Sequence, residues 1–482
     1  MEYHSVQWNE TSMEFCTGRD FPLVDPALGA EFTTIRLSTV ADVERAVTTA
    51  RAAGSGWRRT GWDDRARLLR STAKRIRDDV DAIAAVLTQE QGKTLKESRI
   101  ETLRCADTFD FYADDAFDSR PEIRELDGKR SWVTKRPVGV VAAIVPWNFP
   151  LTLLSNKLVP ALAAGNAVVV KPAQTTPLAT RVVLAHLREA GLPEGVVTAV
   201  LGEADVGRAL VAHPDVDMVS FTGSTETGRA IMAVAAGRVK RLALELGGSD
   251  ALIVDADADL DGAAKATAIG RFFNCGQACI AVKRVFVHRV VVDEFVEKLG
   301  ARVDRLVVGD GRTPGVLVGP QHTDRQRQHT VGLIDDAVDQ GAAVLRGGGI
   351  PGEEVLQRGY FVEPTILTSV PENARLMKEE SFGPVVPVIE VESIPEAVAR
   401  ANASEFGLGS SLWSRSPANI RMAIESLEAG YTWVNEIAID FDGLPFGGVK
   451  QSGFGKERGR ESIDEFRVAK SVVAPENTDV LA

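Results

Sequence analysis

The sequence predicts an α/β protein built on parallel sheet, and three observations carry that reading. From Gly139 onward, short β-rich apolar runs alternate with helix-length segments, the pattern of parallel strands joined by crossover helices. The chain has 482 residues, enough for about three domains and for a large core without staples. Its composition, 44% apolar and 25% charged, is that of an ordinary globular protein.

Taken in chain order, the N-terminal part reads as helices. Leu69, Ala73, Ile76, Val80, Ile83 and Leu87 step by fours and threes and form one helical face, with Arg75, Asp78 and Asp79 on the solvent side. Strands are expected at Val140 to Val145, Ala167 to Val170, Val196 to Val200 and Asp217 to Phe221, with a helix from Leu178 to Ala190 ended by Gly191. Ligands of such a sheet sit at the carboxyl ends of its strands. A second apolar alternation starts at Ala251, with Val285 to Val287, Val385 to Ile389 and Ser410 to Trp413 as strand candidates. The glycine-rich run Arg346 to Pro351 reads as an exposed connection, and Glu476 to Ala482 as a plain tail.

Charge and cysteine content narrow the function. Lys plus Arg number 55 and Asp plus Glu 67, a formal charge of −12. That balance speaks against nucleic acid or an anionic membrane as the main partner. Cys16, Cys105, Cys275 and Cys279 are too few for a disulfide framework, so a reducing compartment fits. The N-terminus has neither a basic nor an apolar signal region. The longest apolar stretch, Pro137 to Leu154, holds Asn148 and three prolines, which a membrane helix would not tolerate. The expectation is a soluble cytoplasmic protein.

Several segments could carry chemistry. Gly223-Ser-Thr-Glu-Thr-Gly228 lies between a strand and a helix but continues with Arg229-Ala230, which argues against an NTPase. The helix N-terminus can still bind a pyrophosphate, with Ser224 adding a hydroxyl; taken alone, the segment is better explained as a plain strand-to-helix turn. In Pro146-Trp-Asn-Phe-Pro150 two prolines hold Asn148, whose amide could serve a developing oxyanion or merely tie up loop carbonyls. Lys171 stands at a strand end, within reach of a ribose or phosphate, or simply in solvent. Phe273-Asn-Cys-Gly-Gln-Ala-Cys279 offers a thiol that needs a base or a positive field to act as a nucleophile. Metal binding fits poorly, because the six histidines are scattered. Glu245-Leu-Gly-Gly248 places a carboxyl beside two glycines, where an apolar pocket would raise its pKa towards that of a general base. Glu380-Ser-Phe-Gly-Pro384 and Pro445-Phe-Gly-Gly448 are further Gly/Pro loops.

Together and in this order these segments resemble the aldehyde dehydrogenase superfamily, of the non-acylating NAD(P)-dependent kind, over almost the whole chain. The resemblance implies a Rossmann-type nucleotide domain (1–117 and 138–248), an α/β catalytic domain (249–451) and a β-arm (118–137 and 464–482) that pairs subunits into homodimers or homotetramers. It implies Cys279 as nucleophile, Glu245 as base for water, and Asn148 as oxyanion donor beside the Cys279 backbone N–H. Lys171 would contact the adenosine ribose, Ser224 the pyrophosphate and Glu380 the nicotinamide ribose. Trp147 and Phe382 would pack near the cofactor, and Ile144, Val145, Pro146, Gln174, Gly202, Phe221, Thr222, Gly223, Leu246 and Gly247 would complete its site. Lys157 is similar to a family lysine near the active site. No metal is required, and the only small-molecule partners implied are the aldehyde and the dinucleotide.

Three departures bear on specificity. Gln174 stands where NAD-using members often have Glu; losing that carboxylate removes a repulsion of the 2′-phosphate, so NAD is expected with NADP left open. Ser249-Asp250 follows the two glycines where Lys is frequent. Asn156 stands where succinate-semialdehyde enzymes carry an arginine, and Glu436, Asp440, Phe441 and Asp442 follow Asn435. A neutral or cationic aldehyde is therefore expected. The competing readings are a cysteine-dependent hydrolase or acyltransferase on Cys279, which lacks an ordered Cys/His/Asn signature, and a non-catalytic protein, which would not need Cys279, Glu245 and Asn148 together.

Overall fold

A computed structural model describes residues 15–118, 120–126, 128–437 and 442–475. Two sheets organise it. The first has six strands in the order 453–454, 241–245, 218–222, 140–144, 167–171, 197–199. All neighbours are parallel except Gly453–Phe454, which pairs antiparallel with Leu244 and Glu245. Its strands are apolar on both faces because both are covered. Val140, Ala142, Ala167 and Val169 pack on the helix Val40–Trp57, while Val141, Ala143, Val168 and Val170 face the helices that contribute Leu69, Ala73, Leu154 and Leu158.

The order of the strands locates a crevice. From Val140–Ile144 the chain steps outward to Ala167–Lys171 and Val197–Ala199, then returns to place Met218–Thr222 on the other side. This reversal leaves an opening at the carboxyl ends of 140–144 and 218–222, where open parallel sheets bind ligands.

The second sheet has seven strands, ordered 343–346, 365–368, 385–391, 282–288, 250–254, 409–413, 431–434, parallel except for the first pair. It is built from residues after Glu245, and the chain re-enters the first sheet at Gly453. A three-stranded antiparallel sheet joins 122–126, 129–137 and 467–475, the segments in which the resemblance places the arm. Among the described residues no helix is long and apolar enough to cross a membrane.

The structure corrects three expectations. The stripe from Leu69 to Leu87 is two helices, Trp62–Asp78 and Val80–Gln91, parted at Asp79; Leu69, Ala73, Ile76, Ile83 and Leu87 are fully buried, but Val80 at the break is not. The N-terminal part is not all helical: Asp20–Asp25 and Ala30–Arg36 form a hairpin around a turn closed by Gly29 at φ 63°. Its outer residues are polar on no regular period, so alternation did not reveal it. Ala343–Arg346, Thr365–Thr368 and Tyr431–Val434 are short strands that escaped notice, because four residues carry too little periodicity.

Candidate active site

The carboxyl edge of the first sheet faces the loops entering the second, and the conspicuous loops of the sequence meet there. A cavity of about 220 Å³ opens at the crevice between 140–144 and 218–222. Pro146, Trp147 and Asn148 border it from one strand, Thr222, Gly223 and Ser224 from the other; Leu246, Gly247, Cys279, Glu380 and Phe382 complete the wall, joined by Gln326 and His329. Ile144, Val145, Lys171, Gln174, Gly202 and Phe221 do not border this cavity; they lie within or just beyond the same row of strand ends.

The nucleophile loop is held in an unusual shape. After the helix Leu260–Phe272, Asn274, Cys275 and Gly276 take positive φ values of 50°, 54° and 74°. Such backbone costs free energy in non-glycine residues and persists only where neighbours impose it. Glu97, in the first turn of the helix Leu95–Phe111, accepts the Asn274 N–H at 2.7 Å. The fully buried Arg271 donates to the carbonyls of Gly276, Ser381, Val282 and Gly383. This guanidinium joins the cysteine loop to the Glu380-Ser-Phe-Gly turn. Cys275 is sealed inside, with its sulfur accepting from Gln321 at 3.2 Å.

Asn148 is equally fixed. Its carbonyl accepts from Lys93 Nζ at 2.7 Å and Asn274 Nδ2 at 3.0 Å. Its own Nδ2 donates one hydrogen to the Gln277 carbonyl at 3.1 Å, and an amide has a second to offer. Trp147 stacks on His322 at 4.6 Å and meets Phe382 edge-on at 5.9 Å. Burial holds His322 down to about 4, so it is neutral.

Cys279 borders a second cavity as well, of about 300 Å³, which shares no other lining residue with the first. Phe149, Leu153, Phe273, Ile437 and Phe446 make that wall chiefly apolar. Asn156, Arg104 and Arg458 also border it, the last held at φ 58° and buried. Glu436 and Asp442 do not line it, and Asp440 and Phe441 lie outside the described residues. Burial pushes the Cys279 thiol up to about 12, against the opposing charge of Lys283.

Glu245 ends its strand fully enclosed and borders neither cavity. Desolvation first, then the Glu457 charge, raises its carboxyl well above the ordinary value, while Lys157 and Lys456 pull it down. Neither oxygen has a hydrogen-bond partner in good geometry, although the Gly448 N–H is near enough to lower the pKa. Lys157 Nζ forms a buried ion pair with Glu457 and donates to Thr222 Oγ1 at 2.5 Å. Sequence reasoning missed Glu457, Lys283, Phe273 and Phe446 as site residues. A signal existed for Phe273 and Phe446, which lie inside loops already singled out, but not for Glu457 or for Lys283 on the strand Val282–His288.

The cavity suits a dinucleotide. The Thr225–Ala236 helix starts at its wall, with Ser224 as N-cap accepting from the Thr227 N–H at 3.3 Å, so the hydroxyl is partly spent on its own helix. A side chain at Gly247 would collide with Glu380 Oε2, so backbone and carboxylate meet here without bulk between them. Glu380 Oε1 takes the Gly248 N–H at 2.9 Å, leaving Oε2 for a ligand hydroxyl. Lys171 is buried at its strand end, and desolvation lowers its ammonium to about 8.

Residues 14–472 match the aldehyde dehydrogenase family. The chain is 37% identical to a betaine aldehyde dehydrogenase of Rhizobium leguminosarum over 93% of its own length and 92% of that protein. It is 38% identical to a 3-sulfolactaldehyde dehydrogenase of Pseudomonas putida, over 95% and 94% of the two chains. A crystal structure of a betaine aldehyde dehydrogenase point mutant from Staphylococcus aureus, in complex with NAD+, superposes with a TM-score of 0.92 at 34% identity, covering 96% of this chain and 95% of that one. With this fold and this match along nearly its full length, the chain belongs to the aldehyde dehydrogenase family, and its activity is the oxidation of an aldehyde.

Proposed function

We propose that the protein oxidises a neutral or cationic aldehyde to its acid through a thioester on Cys279, with NAD as hydride acceptor and NADP as the open alternative. One observation carries this reading: Cys279 alone among the candidate catalytic residues borders both the apolar cavity and the crevice cavity. A carbonyl entering the first meets the sulfur, and a cofactor in the second meets the same residue.

Bound in the crevice, a nicotinamide dinucleotide supplies the acceptor for the hydride that the aldehyde carbon gives up. The chain's own residues do the rest. Trp147, Phe382 and Glu380 hold the ring end, and the row of Ile144, Lys171, Gln174 and Gly202 receives the remainder. Cys279 loses its proton to solvent water and attacks as the thiolate, the new S–C bond pushing the carbonyl π pair onto oxygen. Asn148 donates its second N–H, with the Cys279 N–H, to the oxyanion of the thiohemiacetal. Glu245 takes a proton from the water that cleaves the thioester, turning from its rest beside Gly447 towards the sulfur. The buried Lys157–Glu457 pair keeps charge near it. Asn148→Ala is expected to lower kcat about a hundredfold, about 3 kcal/mol of oxyanion stabilisation, with the KM for the cofactor unchanged; steady-state kinetics check this.

The aldehyde's charge follows from the apolar wall. Three phenyl rings and Asn156 suit an uncharged body, and the wall carries charges of both signs, Glu101 beside Arg104 and Arg458. The two curated relatives, matched at nearly equal identity, are named for head groups of opposite charge, so few cavity residues decide. Turnover of succinate semialdehyde against a neutral aldehyde of equal length, with NAD and with NADP, tests this. Preference for the neutral compound supports the reading; strong preference for the anion overturns it and assigns the two arginines as the anchor. The arm sheet, with Arg467–Pro475 on its edge, is the proposed subunit contact of a homodimer or homotetramer.

A further inference from the structure

We propose that Lys283 is a positioning residue that ties the peptide of the nucleophile to the carboxylate of Glu380, so that the sulfur-bearing loop and the cofactor-facing carboxylate are held as one unit. This rests on the reading of Cys279 and Glu380 above.

Lys283 is the second residue of the strand Val282–His288, and its side chain is 1% exposed. Its ammonium donates to the Cys279 carbonyl at 2.5 Å, the Ala278 carbonyl at 3.1 Å and Glu380 Oε1 at 3.0 Å. An ammonium has three hydrogens, and these three acceptors use them all. Nζ also lies 5.5 Å from the ring centroid of Phe382. One side chain therefore touches the backbone of the nucleophile, the carboxylate assigned to the ribose and the ring assigned to the nicotinamide end. Removing it would leave the Cys279 carbonyl without its donor, the Ala278 carbonyl with the Ala281 N–H alone and Glu380 Oε1 with the Gly248 N–H alone.

The charge pattern agrees. The groups facing the Cys279 thiol are Lys283, Glu380, Asp250 and Glu245, and Lys283 is the cation among them. Asp250 is buried on the neighbouring strand Asp250–Val254; Lys283, with Arg284 and the Gly409 N–H, opposes the desolvation that raises its carboxyl to about 7. The Ser249-Asp250 departure seen in the sequence thus sits beside a compensating lysine from the next strand. An uncompensated set of three carboxyls around the sulfur would disfavour the thiolate.

The test compares full-length wild type with Lys283→Met, Lys283→Gln and Lys283→Arg. Two quantities are read: the pH dependence of Cys279 alkylation by iodoacetamide, followed on its peptide by mass spectrometry, and the KM for NAD. In the Met variant, alkylation near neutral pH should slow about tenfold, one pKa unit of the thiol, and the KM for NAD should rise by a similar factor. Lys283→Arg should recover the alkylation profile. If the Met variant does not fold, Lys283→Gln, which retains a donor without the charge, carries the same expectation. Alkylation profiles and KM values within twofold of wild type, or a drop in melting temperature alone, overturn the proposal. Cys279→Ala is run alongside: if it keeps dehydrogenase activity, the functional reading fails rather than the role of Lys283.

Discussion

Cys279→Ala is expected to abolish both reduction of NAD by aldehydes and any ester hydrolysis, by a factor on the order of 10⁴ or more, as for other covalent nucleophiles. No neighbouring thiol can take over. Cys275 is sealed and bonded to Gln321, Cys105 is fully buried with its thiol pushed well above the ordinary range, and Cys16 lies beside Ser38, far along the chain from the site. The crevice keeps its walls in the variant, so NAD should still quench Trp147 fluorescence. Retained cofactor binding with lost turnover, measured by titration and by absorbance of the reduced cofactor, separates loss of the nucleophile from loss of the fold.

The second large effect is a change of kinetic form. Glu245→Gln should release one equivalent of reduced cofactor per active site and then stall, because acylation needs the sulfur and Asn148 while deacylation needs a base for water. The environment of Glu245 sets the pH behaviour of the wild type. Burial and the Glu457 charge hold its carboxyl protonated well above the usual carboxylate range. Steady turnover should therefore rise with pH as that carboxyl ionises, and the variant should lose that limb of the profile while its burst remains. Stopped-flow traces across pH read both. Steady turnover near the wild-type rate would remove Glu245 from its role.

Much of this architecture was legible in the residues. The apolar runs before Trp147, Lys171 and Gly223 are strands buried on both faces, and such strands advertise themselves through composition. The order of motifs led to the family, and nine of the residues expected to bind cofactor border the crevice cavity. What stayed hidden depended on contacts between distant segments. Glu457 meets Lys157 across 300 residues, and nothing local to either announces the pair. Lys283 reads as one more cation on a strand until its neighbours Cys279 and Glu380 are seen. The split at Asp79 escaped because the second helix continues the same 3.6-residue stripe. The hairpin at Asp20–Arg36 escaped because its packing onto Leu178 and Leu201 is tertiary.

Everything rests on a covalent acyl group at one sulfur. The direct measurement is intact-protein and peptide mass spectrometry of Glu245→Gln, quenched in acid after mixing with aldehyde and NAD. The predicted result is a mass increase equal to the acyl group, stoichiometric with the burst and confined to the peptide that carries Cys279. Reduced cofactor formed without that adduct, or with the adduct on another residue, would contradict it.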